Sequence, residues 1–260
     1  MNNFHINEQE LYEFIKIINE ISGIDLSDKK DILPLKLSTF FKRFNITDFK
    51  EFVAKLKFNT ELRQNTLDFI TINETYFHRE LTQLKEIIFY AKSLDRTVNI
   101  LSAPCSSGEE VYSLAILGAQ NFVKNLQITG IDINNEMINK AKIGKYTGRT
   151  LQRLSEIEKK KFFTQNDEFY TINKKEICNC RFELYNVFDP KFPQFSKFDI
   201  IVSRNMMIYF DYDSKIKLLE NFYKLLSTTG RLYIGNADLV PENIYFKKVF
   251  SSKGVYYEKL

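Results

Sequence analysis

The stretch Val98–Tyr112, VNILSAPCSSGEEVY, decides the fold. Val98, Ile100 and Leu101 read as a buried strand. Ser102 to Gly108 form a turn of small residues, and Glu109 and Glu110 open a helix at its positive end. A strand, tight turn and helix in this order is how doubly wound α/β domains bind nucleotide-like ligands. The turn lacks a dinucleotide fingerprint, because Gly108 is its only glycine. Two carboxylates also stand where a pyrophosphate needs bare N–H groups and positive charge. The pattern therefore predicts a ligand that is not anionic, an amine-bearing or cationic nucleoside such as S-adenosylmethionine. Taken alone, the turn also reads as a structural βα corner.

Outward from this corner, the chain beyond Arg96 alternates strand and helix patterns, which predicts a mainly parallel sheet with helices on both faces. The further strands read as Gln127–Ile133, Arg181–Val187, Phe198–Ser203 and Arg231–Asn236. The end, YFKKVFSSKGVYYEKL, reads as an antiparallel hairpin joined at Ser252–Gly254. This ordering is typical of class I S-adenosylmethionine-dependent methyltransferases. The switch-point rule puts the ligand at the carboxyl ends of the strands. Asp132 closes the second strand, where an acid commonly holds ribose hydroxyls. Asn186 and Val187 close the third, an amide beside an apolar residue that can meet an adenine. Arg204 and Asn205 end the fourth, with Tyr209 four residues on. Each alone reads as a surface residue; together they converge on one edge. Lys140–Lys161 is strongly basic, and Phe162–Arg181 has the short alternating runs of a small β insertion.

Residues 1–72 read as an all-helical unit. Leu11, Phe14, Ile15, Ile18 and Ile21 give the first helix an apolar face, and Gly23 ends it. Ser27 suits the N-cap of a helix from Asp28 to Phe44, kinked or split by Pro34. Lys36 and Arg43 share a face of that helix away from Leu37, Phe40, Phe41 and Phe44. Such a short run of charge also reads as a solvated face. Thr47 reads as the cap of Asp48–Leu56, and Glu61–Ile70 makes a fourth helix. Asn73–Glu80, NETYFHRE, reads locally as the start of an amphipathic helix carrying Asn, Thr and Arg between aromatics. The net charge of +4 is too small to name a partner. The three cysteines make neither a disulfide framework nor a convincing zinc site, which suits a reducing cytoplasm and predicts no metal. The opening MNNFHINEQE is not a secretory signal, and no apolar run approaches the ~20 residues of a membrane helix.

The segments NETYFHRE, SAPCSSGEEVYSLAI, GIDINNEMINKAKIGKY and FDIIVSRNMMIYFD, in this order and spacing, resemble the chemotaxis receptor methyltransferases, the CheR family. The similarity covers nearly the whole chain, including GIDLSDKKDILPLKL and FKRFNITDFKEFVAKL. The resemblance implies a small helical domain at 1–72 that docks receptor. It implies an S-adenosylmethionine-binding methyltransferase domain at 73–260 with a β insertion at about 162–181. Asn73, Thr75, Arg79, Glu110, Asp132, Asn186, Val187, Arg204 and Asn205 are then the expected cofactor contacts. Arg79 and Tyr209 would line the methyl-transfer site, and Lys36 and Arg43 would meet the receptor. The implied reaction esterifies glutamates in the cytoplasmic helical region of chemotaxis receptors and leaves S-adenosylhomocysteine. A monomeric cytoplasmic enzyme is expected, with neither nucleic acid nor membrane insertion. Two other readings fit parts of the chain: a nucleic-acid methyltransferase using the basic runs, and a non-catalytic cofactor-binding signalling module. The sequence departs from the family at His78, where a second aromatic is usual, and at Asn134, which replaces a second acid. No Gly-Tyr-Gly-like signature occurs between Phe162 and Arg181, so a receptor pentapeptide tether is not implied.

Overall fold

The buried strand at Val98–Ser102 is the middle one of five parallel strands in a seven-stranded sheet. The structure, a computed structural model, describes residues 6–123, 125–251 and 254–260. The strands are β1 (Val98–Ser102), β2 (Leu126–Asp132), β3 (Lys145–Tyr146), β4 (Phe163–Asn166), β5 (Phe169–Ile172), β6 (Asn179–Leu184), β7 (Phe198–Ser203), β8 (Leu226–Ile234), β9 (Phe246–Ser251) and β10 (Gly254–Lys259). The large sheet has the order β6-β2-β1-β7-β8-β10-β9. Its first five strands are parallel, and the β9–β10 hairpin adds antiparallel to β8. This is the α/β architecture expected from the alternating pattern. The third and last parallel strands start earlier than Arg181 and Arg231, and residues 252 and 253 of the expected hairpin joint lie outside the described residues.

Alternation along β1 divides the core. Ile100 faces one cluster with Leu114 and Ile128, while Leu101 faces another with Ile131, Leu219 and Phe222. The helices after residue 80 are α5 (Leu81–Ser93), α6 (Glu109–Gln120), α7 (Asn135–Ile143), α8 (Glu156–Phe162) and α9 (Tyr212–Leu225). Strands β3, β5 and β4 form a separate antiparallel sheet between α7 and β6.

Ahead of the sheet, α1 (Glu8–Ser22), α2 (Leu33–Phe44), α3 (Phe49–Leu56) and α4 (Thr60–Ile70) bury Phe14, Ile18, Leu37, Phe40, Phe52 and Leu56 in a third cluster. Asn7 and Glu10 close a capping box on α1. Gly23 ends it with φ 71, and a Cβ there would lie 2.3 Å from Phe188. Three local expectations are corrected. Ser27 caps nothing; it begins a 3-10 turn, Ser27–Lys29, and α2 starts at Leu33. Pro34 sits in the first turn of α2, where its missing N–H is harmless, so it neither kinks nor splits the helix. Asp48, not Thr47, caps α3, accepting from the Glu51 N–H at 2.8 Å. NETYFHRE is also not helical. Phe77 plunges into the sheet core while its N–H donates to the Thr150 carbonyl at 2.9 Å, and His78 and Glu80 adopt positive φ. Tertiary burial thus overrides local helical spacing.

Candidate functional site

One cavity opens at the carboxyl edge of β1, β2 and β7. Its wall includes Asn73, Thr75, Arg79, Glu110, Asp132, Asn186, Val187, Arg204, Asn205 and Tyr209. Five segments spread between residues 73 and 209 therefore deliver every expected ligand or catalytic residue to one space.

Asp132, at the end of β2, is 5% exposed. Its two oxygens accept from the backbone N–H groups of Ser106 (2.8 Å) and Asn134 (2.9 Å). Burial nevertheless raises its pKa to about 6, against the pull of those donors. The carboxylate is thus short of hydrogen-bond donors, which hydroxyl groups of a ligand can supply. Asn134, where a second acid was expected, caps α7 and donates to the Asp68 carbonyl at 3.0 Å and to Thr71. It ties the end of β2 to α4.

Glu110, in the first turn of α6, accepts from Ser102 Oγ (2.8 Å) and Arg204 (2.8 Å). Burial pushes its carboxyl up, with Arg204 pulling the other way. Arg204 is 4% exposed; it also faces Glu80 at 3.5 Å and donates to the Arg79 carbonyl. Its Nε is buried without a partner. Arg204 thus pins together the 73–80 loop, α6 and the end of β7. Asn205 has φ 57, and its N–H donates to Asp238, which also accepts from Ile208 N–H at 3.2 Å. A Cβ at Gly235 would strike this Asp238 carboxylate at 2.7 Å.

Arg79 donates to the Glu74 carbonyl at 3.0 Å and stacks over Tyr76, with 5.6 Å to the ring centroid. Arg153, from the basic run, covers the same ring at 4.8 Å. Burial raises the Tyr209 pKa, so its phenol remains a donor at neutral pH. His78 is buried; its N–H donates to Ser113 Oγ (2.9 Å) and its Nε2 pairs with Glu158 at 3.0 Å. That contact and the Ser155 cap hold the Glu158 carboxyl down at about 2.

Some expected residues are placed otherwise. The Asn186 amide is committed, donating to the Ile21 carbonyl at 2.7 Å and accepting from Phe188 N–H at 2.9 Å. That leaves Val187, Tyr185 and Ile133 as the apolar wall a base can use. Lys36 and Arg43 lie outside the cavity and have different partners. Lys36 Nζ folds onto the Ile70 carbonyl (3.4 Å) over the Phe69 ring, where burial lowers its pKa. Arg43 is exposed and pairs with Glu136 of α7 at 3.8 Å. Asp238, Glu80 and Lys29 were missed. Asp238 follows β8 at the same strand edge and was findable by the strand-end rule. Glu80 closes the NETYFHRE motif. Lys29 has no local signal, because it reaches the cavity only through the packing of the helices.

Buried carboxylates at Asp132 and Glu110, the unpartnered Arg204 Nε and an apolar wall suit a ligand with hydroxyls, an amine, a carboxylate and a flat base, as in S-adenosylmethionine. Among the described residues no helix is long and apolar enough to cross a membrane. Residues 73–255 match the family described as CheR methyltransferase, SAM binding domain. A chemotaxis protein methyltransferase of Campylobacter jejuni is 67% identical, covering 98% of this chain and 97% of the relative. One from Borreliella burgdorferi is 33% identical over 93% of this chain and 92% of its own length. The chain belongs to the CheR methyltransferase family, and S-adenosylmethionine is its cofactor.

Proposed function

We propose that this CheR-family methyltransferase esterifies glutamate side chains in the cytoplasmic helical region of chemotaxis receptors. The observation that carries this reading is the division of the cavity. Asp132 and Glu110 line it with the polar groups a nucleoside and an amine require, and Arg79 and Tyr209 bring two donors suited to a carboxylate. The names of the relatives, chemotaxis protein methyltransferases, support the same substrate.

When bound, S-adenosylmethionine supplies a methyl group made electrophilic by its positive sulfur. In this reading Asp132 holds the ribose hydroxyls, Glu110 and Arg204 meet the methionyl end, and Asn73 and Thr75 close over it from the 73–80 loop. A glutamate side chain has an ordinary pKa near ~4.3, so it is already ionised at neutral pH and needs no general base. Arg79 and Tyr209 orient it by hydrogen bonds. Correct alignment alone can account for several kcal/mol of the barrier. Arg79 already spends one N–H on the Glu74 carbonyl, which weakens its grip and leaves the nucleophile reactive. The basic outer face of α2, with Arg43, serves receptor docking in this reading, and the enzyme acts as a cytoplasmic monomer.

The test is transfer of tritiated methyl from S-adenosylmethionine to membranes rich in chemoreceptors. A base-labile methyl ester on the receptor band is expected. No label on receptor, with label instead on nucleic acid, overturns the reading.

A further inference from the structure

The N-terminal unit contributes to the cavity through α1, α4 and the segment that follows α1. The Ile24 backbone pairs with Phe210 in an antiparallel bridge, and the Asp25 N–H donates to the Tyr209 carbonyl at 2.7 Å. This clamp sets the 3-10 turn Ser27–Lys29 against the cavity mouth. Lys29 lines the cavity, and its ammonium lies 5.2 Å from the centroid of the Tyr209 ring. That is within range of a cation–π contact, but such a contact leaves the ammonium's own hydrogens free to meet an anion.

The charges around Tyr209 show why this position matters. The Glu74 and Asp238 carboxylates bear on the Tyr209 hydroxyl, and the Arg79 guanidinium opposes them. Arg204, the other cavity arginine, is occupied by Glu110 and Glu80. A carboxylate arriving beside Tyr209 therefore meets two acids and one partly engaged arginine. Among the described residues Lys29 forms no ion pair, so its charge is available to the newcomer.

We propose that Lys29 is a specificity-determining residue of the methyl-transfer site, supplying the positive charge that admits a glutamate carboxylate and disfavours the neutral glutamine amide. The inference rests on the glutamate-methylation reading above. It also gives the helical unit a part in substrate choice inside the cavity, separate from docking on its outer surface.

The experiment compares the parent with Lys29→Met, which keeps an apolar stem against Tyr209, and Lys29→Arg, which keeps the charge. Two chemoreceptor signalling fragments are used, identical except for glutamate or glutamine at the methylation positions. Their binding to protein loaded with S-adenosylhomocysteine is measured by calorimetry, and methylation of the glutamate form is followed in parallel. The parent should prefer the glutamate fragment. Lys29→Met should shrink that preference roughly tenfold, which corresponds to about 1.4 kcal/mol, and raise the receptor KM more than it lowers kcat. S-adenosylmethionine affinity should stay within about twofold, and Lys29→Arg should restore most of the preference. An unchanged preference in Lys29→Met, while the parent methylates the glutamate form, overturns the role of Lys29 and leaves the function standing. A fall in cofactor affinity matching the fall in transfer also overturns it, since Lys29 would then serve the cofactor. A parent that neither prefers nor methylates the glutamate fragment removes the functional reading and this inference with it.

Discussion

Asp132 is held by two backbone donors and still titrates near 6, because burial outweighs them. The sign of the linkage follows. An acid whose folded pKa exceeds its unfolded value of ~3.9 favours the fold when protonated. That contribution is present below ~3.9 and is lost as pH rises through about 6. Ribose hydroxyls reverse the balance by donating to the ionised form. S-adenosylmethionine should therefore bind roughly tenfold more tightly at pH 7 than at pH 5, where only about a tenth of the chains carry the charge. Calorimetry at the two pH values checks this. Asp132→Ala should flatten the dependence and cost ~1.5–3 kcal/mol of affinity; a parent with no dependence places the ribose elsewhere. Arg79 and Tyr209 call for the opposite signature. Arg79→Ala or Tyr209→Phe should lower turnover by more than tenfold and cofactor affinity by less, because each would orient the reacting carboxylate. Parent-like methylation by both variants removes them from the transfer site. Asp132 and Tyr209 were legible because the switch-point rule fixes where strand ends deliver polar groups, whereas Arg79 was carried only by the family resemblance of NETYFHRE. The Asn186 amide's bond to the Ile21 carbonyl was not legible, because that partner is remote in sequence.

At the scale of elements, legibility followed how local each cause was. Gly23 was readable as a helix end because a left-handed residue is a local demand. The 73–80 loop was not, since its course is set by Phe77 burial, the Thr150 carbonyl and the Ser113 hydroxyl, all distant in sequence. Helix α2 shows the same limit. Seven-residue spacing puts Lys36 and Arg43 on one face, but the carbonyl end of α4 draws the Lys36 ammonium inward. The two side chains should accordingly behave differently. Arg43→Glu should raise the receptor KM and flatten its salt dependence, as expected of a rim charge. Lys36→Glu should lower Tm, because it places a carboxylate beside the Ile70 carbonyl and the Phe69 ring. Receptor methylation at ~50 and ~200 mM salt, a range over which screening tightens, together with thermal melts, separates the effects. If Arg43→Glu matches the parent at both salts, this face of α2 is solvated and docking lies elsewhere.

At the scale of the whole molecule, the alternating pattern made the sheet readable, but how the helices join it was not. The joint consists of contacts between residues far apart in the chain. On one side Asn19 donates to Asp211 at 2.8 Å, Asn186 to the Ile21 carbonyl at 2.7 Å, and Asp25 to the Tyr209 carbonyl at 2.7 Å. On the other side Gln64 donates to the Ile133 carbonyl at 2.8 Å and Asn135 to Asp68 at 2.8 Å. The two groups of contacts flank the cavity, so a ligand bound there should also hold the helices in place. The cofactor should therefore protect both parts together. In hydrogen exchange, S-adenosylmethionine should slow the amides of α1 and α4 along with those of β1 and β2, and melting should show a single transition that the cofactor raises. Gly23→Ala tests the joint directly. Its new Cβ would lie 2.3 Å from the Phe188 ring at a φ of 71. The cost should be 1 kcal/mol or more, roughly the scale for a side chain forced into this backbone region. The variant should also lose part of the cofactor-induced protection in α1. If α1 and α4 exchange at the same rate with and without cofactor while β1 and β2 slow, the helices fold as an independent unit and the joint carries no coupling.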